Sequence, residues 1–374
     1  MTTPRKPIWT ARPTRFAALS PGRARAALAL LALLLAACLL ALRSPSPPPV
    51  TGDPANRAED QTDVVLYQTI VDQLRGGGDY YAVTAQALRS GDYPLRPFVT
   101  FRLPTLATVQ ARLPDTGSVA LLYLLAAAVA LAWWTRLASA FGRAPPRLVA
   151  LLLLGGGALV FVQAELLWFH EIWAGLLIAL SLALRKPGRW VEAVAFGLAA
   201  TLVRETAALY VGVMAVAAWL EGERREALGW AVATAVLAVV VAAHAHAVAQ
   251  VVRPLDPASP GWAGMLGFGF FVRTMTLSTA LSLPPLWLAA PLVGLALFGW
   301  AAWAEKLATR ALATFAAYAV LLGVAGRVDT FYWGLLVAGP FLIGLAFVPD
   351  GLRDLLRAAG AGRRRRITVT RVVR

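Results

Sequence analysis

The chain is dominated by long apolar runs, and these restrict its fold more than any other feature of the sequence. An α-helix rises 1.5 Å per residue, so roughly 20 apolar residues cross a hydrocarbon core of about 30 Å. Applied along the chain, this length predicts ten membrane passes at residues 26–42, 117–135, 148–165, 168–184, 190–203, 206–220, 227–249, 284–303, 311–325 and 333–348. We therefore expect an all-α fold, a polytopic bundle of membrane helices.

The charge balance is strongly basic, with a formal net charge of +15 that comes mainly from arginine. Such an excess can indicate nucleic-acid binding, but here the basic residues form short clusters between apolar runs and at both ends of the sequence. Cytoplasmic loops of membrane proteins carry this excess of lysine and arginine. We therefore interpret the clusters as topology signals, and we expect contact with membrane lipids and no nucleic-acid partner.

The passes at 190–203 and 206–220 come from one apolar stretch, residues 190–220. As a single helix it would be about 46 Å long, which is too long for one simple pass and short for two. With two passes, the N-terminus, the basic loops and the tail containing Arg363–Arg366 all lie on the cytoplasmic side. We therefore predict two short passes that meet near Arg204. Both termini would then lie on the cytoplasmic side of a bacterial inner membrane.

This topology divides the chain into a basic N-terminus (1–25), a first membrane helix (26–42), an exported segment (43–116), a membrane domain (117–348) and a basic tail (349–374). In the exported segment a series with spacings of three and four predicts an amphipathic helix that ends at three glycines. The series begins at Asp60 and continues with Val64, Tyr67, Val71 and Leu74. A second helix is expected with Asp79 as its N-cap, and a third after Pro104. We expect all three to lie on the membrane surface.

Placing a charged side chain in or near a bilayer costs free energy, so the positions of such residues point to a functional site. In the predicted topology four exported segments bring charged or titratable side chains to the same membrane face. Arginine binds phosphate through a planar fork of donors, and a carboxylate beside it can accept a proton from a hydroxyl group. This combination suits the transfer of a sugar from a lipid phosphate. The candidate residues are Asp60, Asp63, His170, Glu171, Arg204, Glu205, Arg327 and Asp329.

These residues also have simpler interpretations. Asp60 and Asp63 could place negative charge in the first turn of a surface helix. Arg204 and Glu205, which as neighbours cannot pair on one helix face, could form ion pairs between helices. His170 belongs to HEIWA, which lacks the second histidine of a zinc-protease motif, and the chain has one cysteine and three histidines. We therefore predict no metal site and leave the cofactor unknown, since the sequence neither indicates nor excludes a divalent cation.

Four segments resemble those of bacterial GT-C glycosyltransferases, particularly the branch that uses polyprenyl-phosphate mannose. They are Asp63–Leu106, HEIWAGLLIAL at 170–180, RETAALY at 204–210 and GRVDTFYWG at 326–334. The resemblance implies a bundle of membrane helices with surface helices in the first exported loop. It also implies inverting transfer of a sugar from a polyprenyl-phosphate donor to a lipid, glycan or protein acceptor on the periplasmic face.

The same resemblance implies roles for individual residues. An aspartate of the first exported loop would act as the base, and Asp63, which precedes the LY pair, is preferred over Asp60. Arg204 and Arg327 would contact phosphate, and three tyrosines would shape the cleft, namely Tyr67, Tyr80 and Tyr81. Two alternatives from other classes remain: a transporter or lipid flippase, and a membrane assembly protein without catalytic activity.

Overall fold

The computed structural model describes residues 7–45 and 54–360, with side chains described from residue 63 onward in the second range. The side chain of Asp60 and the tail arginines Arg363–Arg366 therefore lie outside the described residues. Within the described ranges the fold is all-α and contains no β-strand, as the apolar runs predicted.

Fifteen α-helices follow one another in the described ranges, and short 3₁₀ helices join several of them. Their bounds are α1 Pro21–Cys38, α2 Pro54–Arg75, α3 Tyr80–Ser90, α4 Thr105–Ala111, α5 Asp115–Leu137, α6 Ala144–Gly157, α7 His170–Leu184, α8 Val191–Val203, α9 Ala208–Leu220, α10 Arg224–Val251, α11 Gly267–Leu277, α12 Leu286–Ala302, α13 Lys306–Val324, α14 Leu335–Phe341 and α15 Val348–Gly360. The three helices predicted in the exported segment correspond to α2, α3 and α4, and Asp79 caps α3 by accepting from the N–H groups of Tyr81 and Ala82.

Five helical segments are long and apolar enough to cross a membrane: Pro21–Leu42, Asp115–Leu137, Arg224–Val251, Lys306–Val324 and Val328–Gly360. Five shorter apolar helices overlap the other predicted passes: Ala144–Gly157, His170–Leu184, Val191–Val203, Glu205–Leu220 and Leu286–Ala302. The pass predicted at 148–165 is the poorest match, because its α-helix ends at Gly157 and short 3₁₀ turns follow. Each predicted pass thus corresponds to an apolar helix, and a total of ten membrane crossings stays a prediction.

The long apolar stretch 190–220 folds back at Arg204. Helix α8 ends before this residue, whose backbone is extended (φ −143°, ψ 112°), and α9 begins after the 3₁₀ turn Glu205–Ala207. A side-chain carbon added at Gly197 of α8 would lie 3.5 Å from the ring of Tyr210 in α9, a contact that one continuous helix could not make. The predicted division into two helices is therefore what the chain adopts.

One end of the bundle is held together by the N-terminal segment. Backbone N–H groups of residues 8–10 donate to the carboxylate of Asp350 in α15 at 2.7 to 2.8 Å. Nearby, Arg136 at the end of α5 forms an ion pair with Glu305, in the loop before α13, at 2.9 Å. These contacts bring the N-terminal segment, the start of α15 and two basic loops to the same end. That this end faces the cytoplasm stays a prediction.

The same end contains a buried network of ion pairs. Arg185 follows α7 and Arg310 lies in α13, and both contact Glu221 and Glu226 across the α9–α10 turn. Arg185, Glu226 and Arg310 are at most 1% exposed. Lys306 at the start of α13 also reaches Glu221, at 3.6 Å. The network therefore connects α7, α9, α10 and α13, and it fixes their positions relative to one another.

Small residues allow the inner helices to approach closely. A side-chain carbon added at Gly299 of α12 would lie 1.7 Å from the carbonyl oxygen of Gly344, so only glycine fits at this crossing. Beside it, the indole N–H of Trp300 donates to the carbonyl oxygen of Phe341 at 2.8 Å. Close contact through glycine is a common way for helices to associate in membranes.

Candidate functional site

The end of the bundle opposite the buried ion network contains a cavity of about 1530 Å³. Its walls come from α2, α3, α4 and α11, from the segments before α7 and α9, from the loop between α10 and α11, and from the 3₁₀ helix Val328–Gly334. The lining contains apolar side chains together with the charged residues Asp63, Asp92, Arg102, Arg204, Glu205, Arg273, Arg327 and Asp329. Charged residues that are far apart in the sequence are thus brought together in one cavity.

Asp63 lies on α2 and is half-buried in the cavity wall. The hydroxyl group of Tyr93 donates a hydrogen bond to its carboxylate at 2.7 Å. Burial raises the pKa of the Asp63 carboxyl above its usual value, against the Tyr93 hydrogen bond and the positive charge of Arg102, which both lower it. A carboxylate with a raised pKa is a stronger base than one in free solution.

Arg102 precedes α4 and extends its guanidinium into the cavity. The Nε–H donates to the hydroxyl oxygen of Tyr67 at 3.1 Å, and this is its only side-chain hydrogen bond among the described residues. Its backbone is fixed because the hydroxyl of Tyr80 donates to its carbonyl oxygen at 2.7 Å. Within the described part of the chain no carboxylate forms an ion pair with Arg102, so both of its terminal NH₂ groups can bind an anion.

Arg204 is buried and has two carboxylate partners. Its Nε–H donates to Glu171, and an NH₂ group donates to Glu205 at 3.1 Å. Glu205 also accepts from the backbone N–H of Leu103, at 3.1 Å. Neighbouring residues cannot pair on a helix face, but Arg204 and Glu205 do pair because Arg204 has an extended backbone outside both helices. The contact with Glu171 of α7 is the ion pair between helices that the simpler interpretation predicted. Glu171, unlike Arg204 and Glu205, is not among the residues that line the cavity.

Arg327 and Asp329 line the cavity and bind each other through two hydrogen bonds. The guanidinium of Arg327 also donates to the hydroxyl of Ser259 at 3.4 Å and to the carbonyl oxygen of Gly261 at 3.3 Å. These contacts attach Arg327 to the loop between α10 and α11. A phosphate that bound Arg327 would have to replace or share them.

The remaining predicted residues divide between the cavity and its surroundings. Tyr67, Tyr80 and His170 line the cavity, and the rings of Tyr67 and His170 meet edge to face with centroids 4.9 Å apart. Tyr81 does not line it. Its hydroxyl instead faces Nδ1 of His244 at 3.2 Å, on the other side of α3. The structure thus brings two of the three predicted tyrosines into the cavity.

Several cavity residues were not among the predicted candidates, including Arg102, Tyr93 and Arg273. Arg102 could have been found, since it is a charged residue inside the exported segment that carries the family resemblance. Tyr93 lies in the same segment as the three predicted tyrosines and could have been added to them. Arg273 has no comparable signal, because its approach to the cavity depends on how the helices pack. Three consecutive aromatic residues also line the cavity, namely Phe331, Tyr332 and Trp333.

The cavity offers three chemical functions in one place: a base, an anion-binding cation and a large partly apolar volume. Its volume exceeds the 300 to 1,000 Å³ that is typical of small-molecule pockets. Among the described residues, no group of three or more histidine, cysteine, aspartate or glutamate side chains could hold a metal ion. Comparison of the chain with protein-family models, curated proteins and solved structures finds no match.

Proposed function

We propose that the protein is a membrane-embedded glycosyltransferase of the GT-C type, which transfers a sugar from a polyprenyl-phosphate donor to a lipid, glycan or protein acceptor. The observation that carries this proposal is the presence, in one cavity, of Asp63 and of Arg102, a guanidinium with no carboxylate partner among the described residues. The first can accept the proton of an attacking hydroxyl group. The second can bind the phosphate that leaves.

In the proposed reaction, the oxygen of an acceptor hydroxyl attacks the anomeric carbon of the donor sugar. The bond between that carbon and the phosphate oxygen breaks, and the polyprenyl phosphate departs with the electron pair. Asp63 accepts the hydroxyl proton, and Arg102 stabilises the negative charge that grows on the phosphate. Because the acceptor attacks the face opposite the leaving group, the configuration at the anomeric carbon is inverted.

The volume and lining of the cavity support a lipid-linked donor. A sugar phosphate alone would not need a space of about 1530 Å³ with an apolar part. Apolar side chains such as Val160, Leu166 and Leu277 line the same cavity as the charged residues, and they can contact isoprene units while the arginines bind phosphate. We further propose that this end of the bundle faces the periplasm and that both termini are cytoplasmic.

The proposal is tested by incubating the purified protein with a panel of polyprenyl-phosphate sugars and by measuring donor consumption and release of polyprenyl phosphate. We expect Asp63→Asn to abolish transfer without lowering the amount of folded protein in the membrane. Asp72→Asn is the matched control, because Asp72 lies on the same helix and makes an exposed ion pair with Arg75.

Near-normal activity of Asp63→Asn would contradict the assignment of the base. Movement of intact lipid or solute across a proteoliposome membrane without donor consumption would favour a transporter or flippase. Full function in cells with both Asp63 and Arg102 substituted would favour an assembly protein without catalytic activity.

A further inference from the structure

The cavity wall contains buried polar atoms that have no hydrogen-bond partner among the described residues. His170 is 3% exposed, and neither nitrogen of its ring is paired. The hydroxyl oxygen of Thr206 and the indole nitrogen of Trp333 are also buried and unpaired, and both residues line the same cavity. Most buried polar atoms in proteins are hydrogen-bonded, so these atoms must be paired by whatever fills the cavity, which is water before substrate binds and the substrate once it is bound.

The position of His170 determines which hydrogen bonds it can make. It is the first residue of α7 and is almost fully buried, and Arg102, Glu171 and Arg204 all act electrostatically on its ring. A buried positive charge beside two guanidiniums and at the positive end of a helix is unfavourable, and the single carboxylate of Glu171 offsets only part of this, so we treat the imidazole as neutral. A neutral imidazole has one donor nitrogen and one acceptor nitrogen.

The proposed donor has two polar parts, a phosphate and a sugar, and the two imidazole nitrogens suit them differently. The oxygens of a phosphodiester only accept hydrogen bonds, so they cannot pair with the acceptor nitrogen of a neutral imidazole. Sugar hydroxyl groups both donate and accept, and neighbouring hydroxyls on one ring can satisfy both nitrogens. We infer that His170 binds hydroxyl groups of the transferred sugar and so contributes to sugar selectivity, an inference that rests on the proposed function.

The test compares two lipids that differ only in the sugar. The dissociation constant is measured for bare polyprenyl phosphate and for the polyprenyl-phosphate sugar that the wild-type protein binds most tightly. His170→Phe should weaken binding of the sugar-carrying lipid by roughly tenfold to thirtyfold, the loss expected for two neutral hydrogen bonds, and should leave the bare lipid unaffected. His170→Asn keeps a donor and an acceptor, and it should recover part of the loss.

Thermal unfolding without ligand separates this role from a structural one. Because the ring nitrogens have no protein partner in the described part of the chain, His170→Phe should leave the melting temperature unchanged or raise it. His244→Phe is the matched control. His244 is equally buried but contacts the Tyr81 hydroxyl and the carbonyl oxygen of Phe101, so its loss should lower the melting temperature and leave the ratio of the two affinities unchanged.

Failure of the inference about His170 can be distinguished from failure of the proposed function. Equal weakening of both lipids by His170→Phe, or weakening of neither, would overturn the assignment of His170 to the sugar. A lowered melting temperature with an unchanged affinity ratio would show that the residue is structural, and it would overturn the inference as well. If the wild-type protein bound neither lipid, the proposed function itself would fail.

Discussion

Arg102 should contribute more to phosphate binding than Arg327, although the family resemblance points to Arg327. The reason is competition for the guanidinium. Arg102 has no ion pair with a described carboxylate, so a phosphate gains contacts there without breaking others. Arg327 is already bound to Asp329 and to the loop between α10 and α11, so a phosphate would exchange existing contacts for new ones.

The expected magnitudes follow from this difference. A hydrogen bond to a charged group contributes roughly 1.5 to 3 kcal/mol, so Arg102→Gln should cost at least about 3 kcal/mol when two such bonds are lost. That corresponds to a decrease in affinity of at least about 150-fold. For Arg327→Gln the exchange of partners on a partly exposed side chain should cost less than about 1 kcal/mol, or about fivefold.

The assay is the dissociation constant of bare polyprenyl phosphate for each variant in the same detergent and salt. Arg112→Gln serves as the control for loss of positive charge, because Arg112 is a residue at the end of α4 that does not line the cavity. Its affinity should remain within about twofold of wild type, since charges outside the site are strongly screened by solvent and salt. A larger loss for Arg327→Gln than for Arg102→Gln would refute the reasoning.

Three further predictions concern the base, the ion network and the close helix crossing. Tyr93→Phe removes a hydrogen bond that lowers the pKa of Asp63, so the acid limb of the pH profile of kcat/KM should move to higher pH; no movement would contradict ionised Asp63 as the base. Glu226→Gln removes the negative charge that pairs with buried Arg185 and Arg310, so it should lower the free energy of unfolding by about 3 to 5 kcal/mol. Denaturation in detergent measures this change, and an unchanged free energy of unfolding would contradict the prediction. Gly299→Ala should lower the melting temperature sharply, whereas Gly155→Ala, which has open space around it, should not; equal effects would exclude the crossing as the cause.

The coarse arrangement of the site could be predicted because it depends on chain topology. Long apolar runs determine which segments can reach the same end of a membrane bundle. Asp63, Arg204 and Arg327, chosen by that argument, all line one cavity in the structure. Topology does not determine pairing, and it could not show that Arg327 is bound to Asp329 while Arg102 has no carboxylate partner among the described residues.

Helix geometry alone argues against one of the residue roles that the family resemblance implies. Tyr80 and Tyr81 are adjacent residues at the start of a predicted helix, where successive side chains point about 100° apart. Both could not be expected to face the same cleft, and in the structure only Tyr80 does. In contrast, the contact between Tyr81 and His244 joins residues far apart in the sequence, and its prediction would have required the packing of α3 against α10.

Arg204 shows how one residue can serve both the fold and the site. The turn between α8 and α9 contains no glycine or proline, and Arg204 adopts its extended backbone while its side chain is buried between Glu171 and Glu205. Its loss would leave Glu171 buried without its guanidinium partner, which typically costs about 3 to 5 kcal/mol. Variants of Arg204 would therefore lose activity through lower stability whether or not the residue touches phosphate. Arg102, which has no such ion pair in the described structure, is the position where substitution can separate ligand binding from folding.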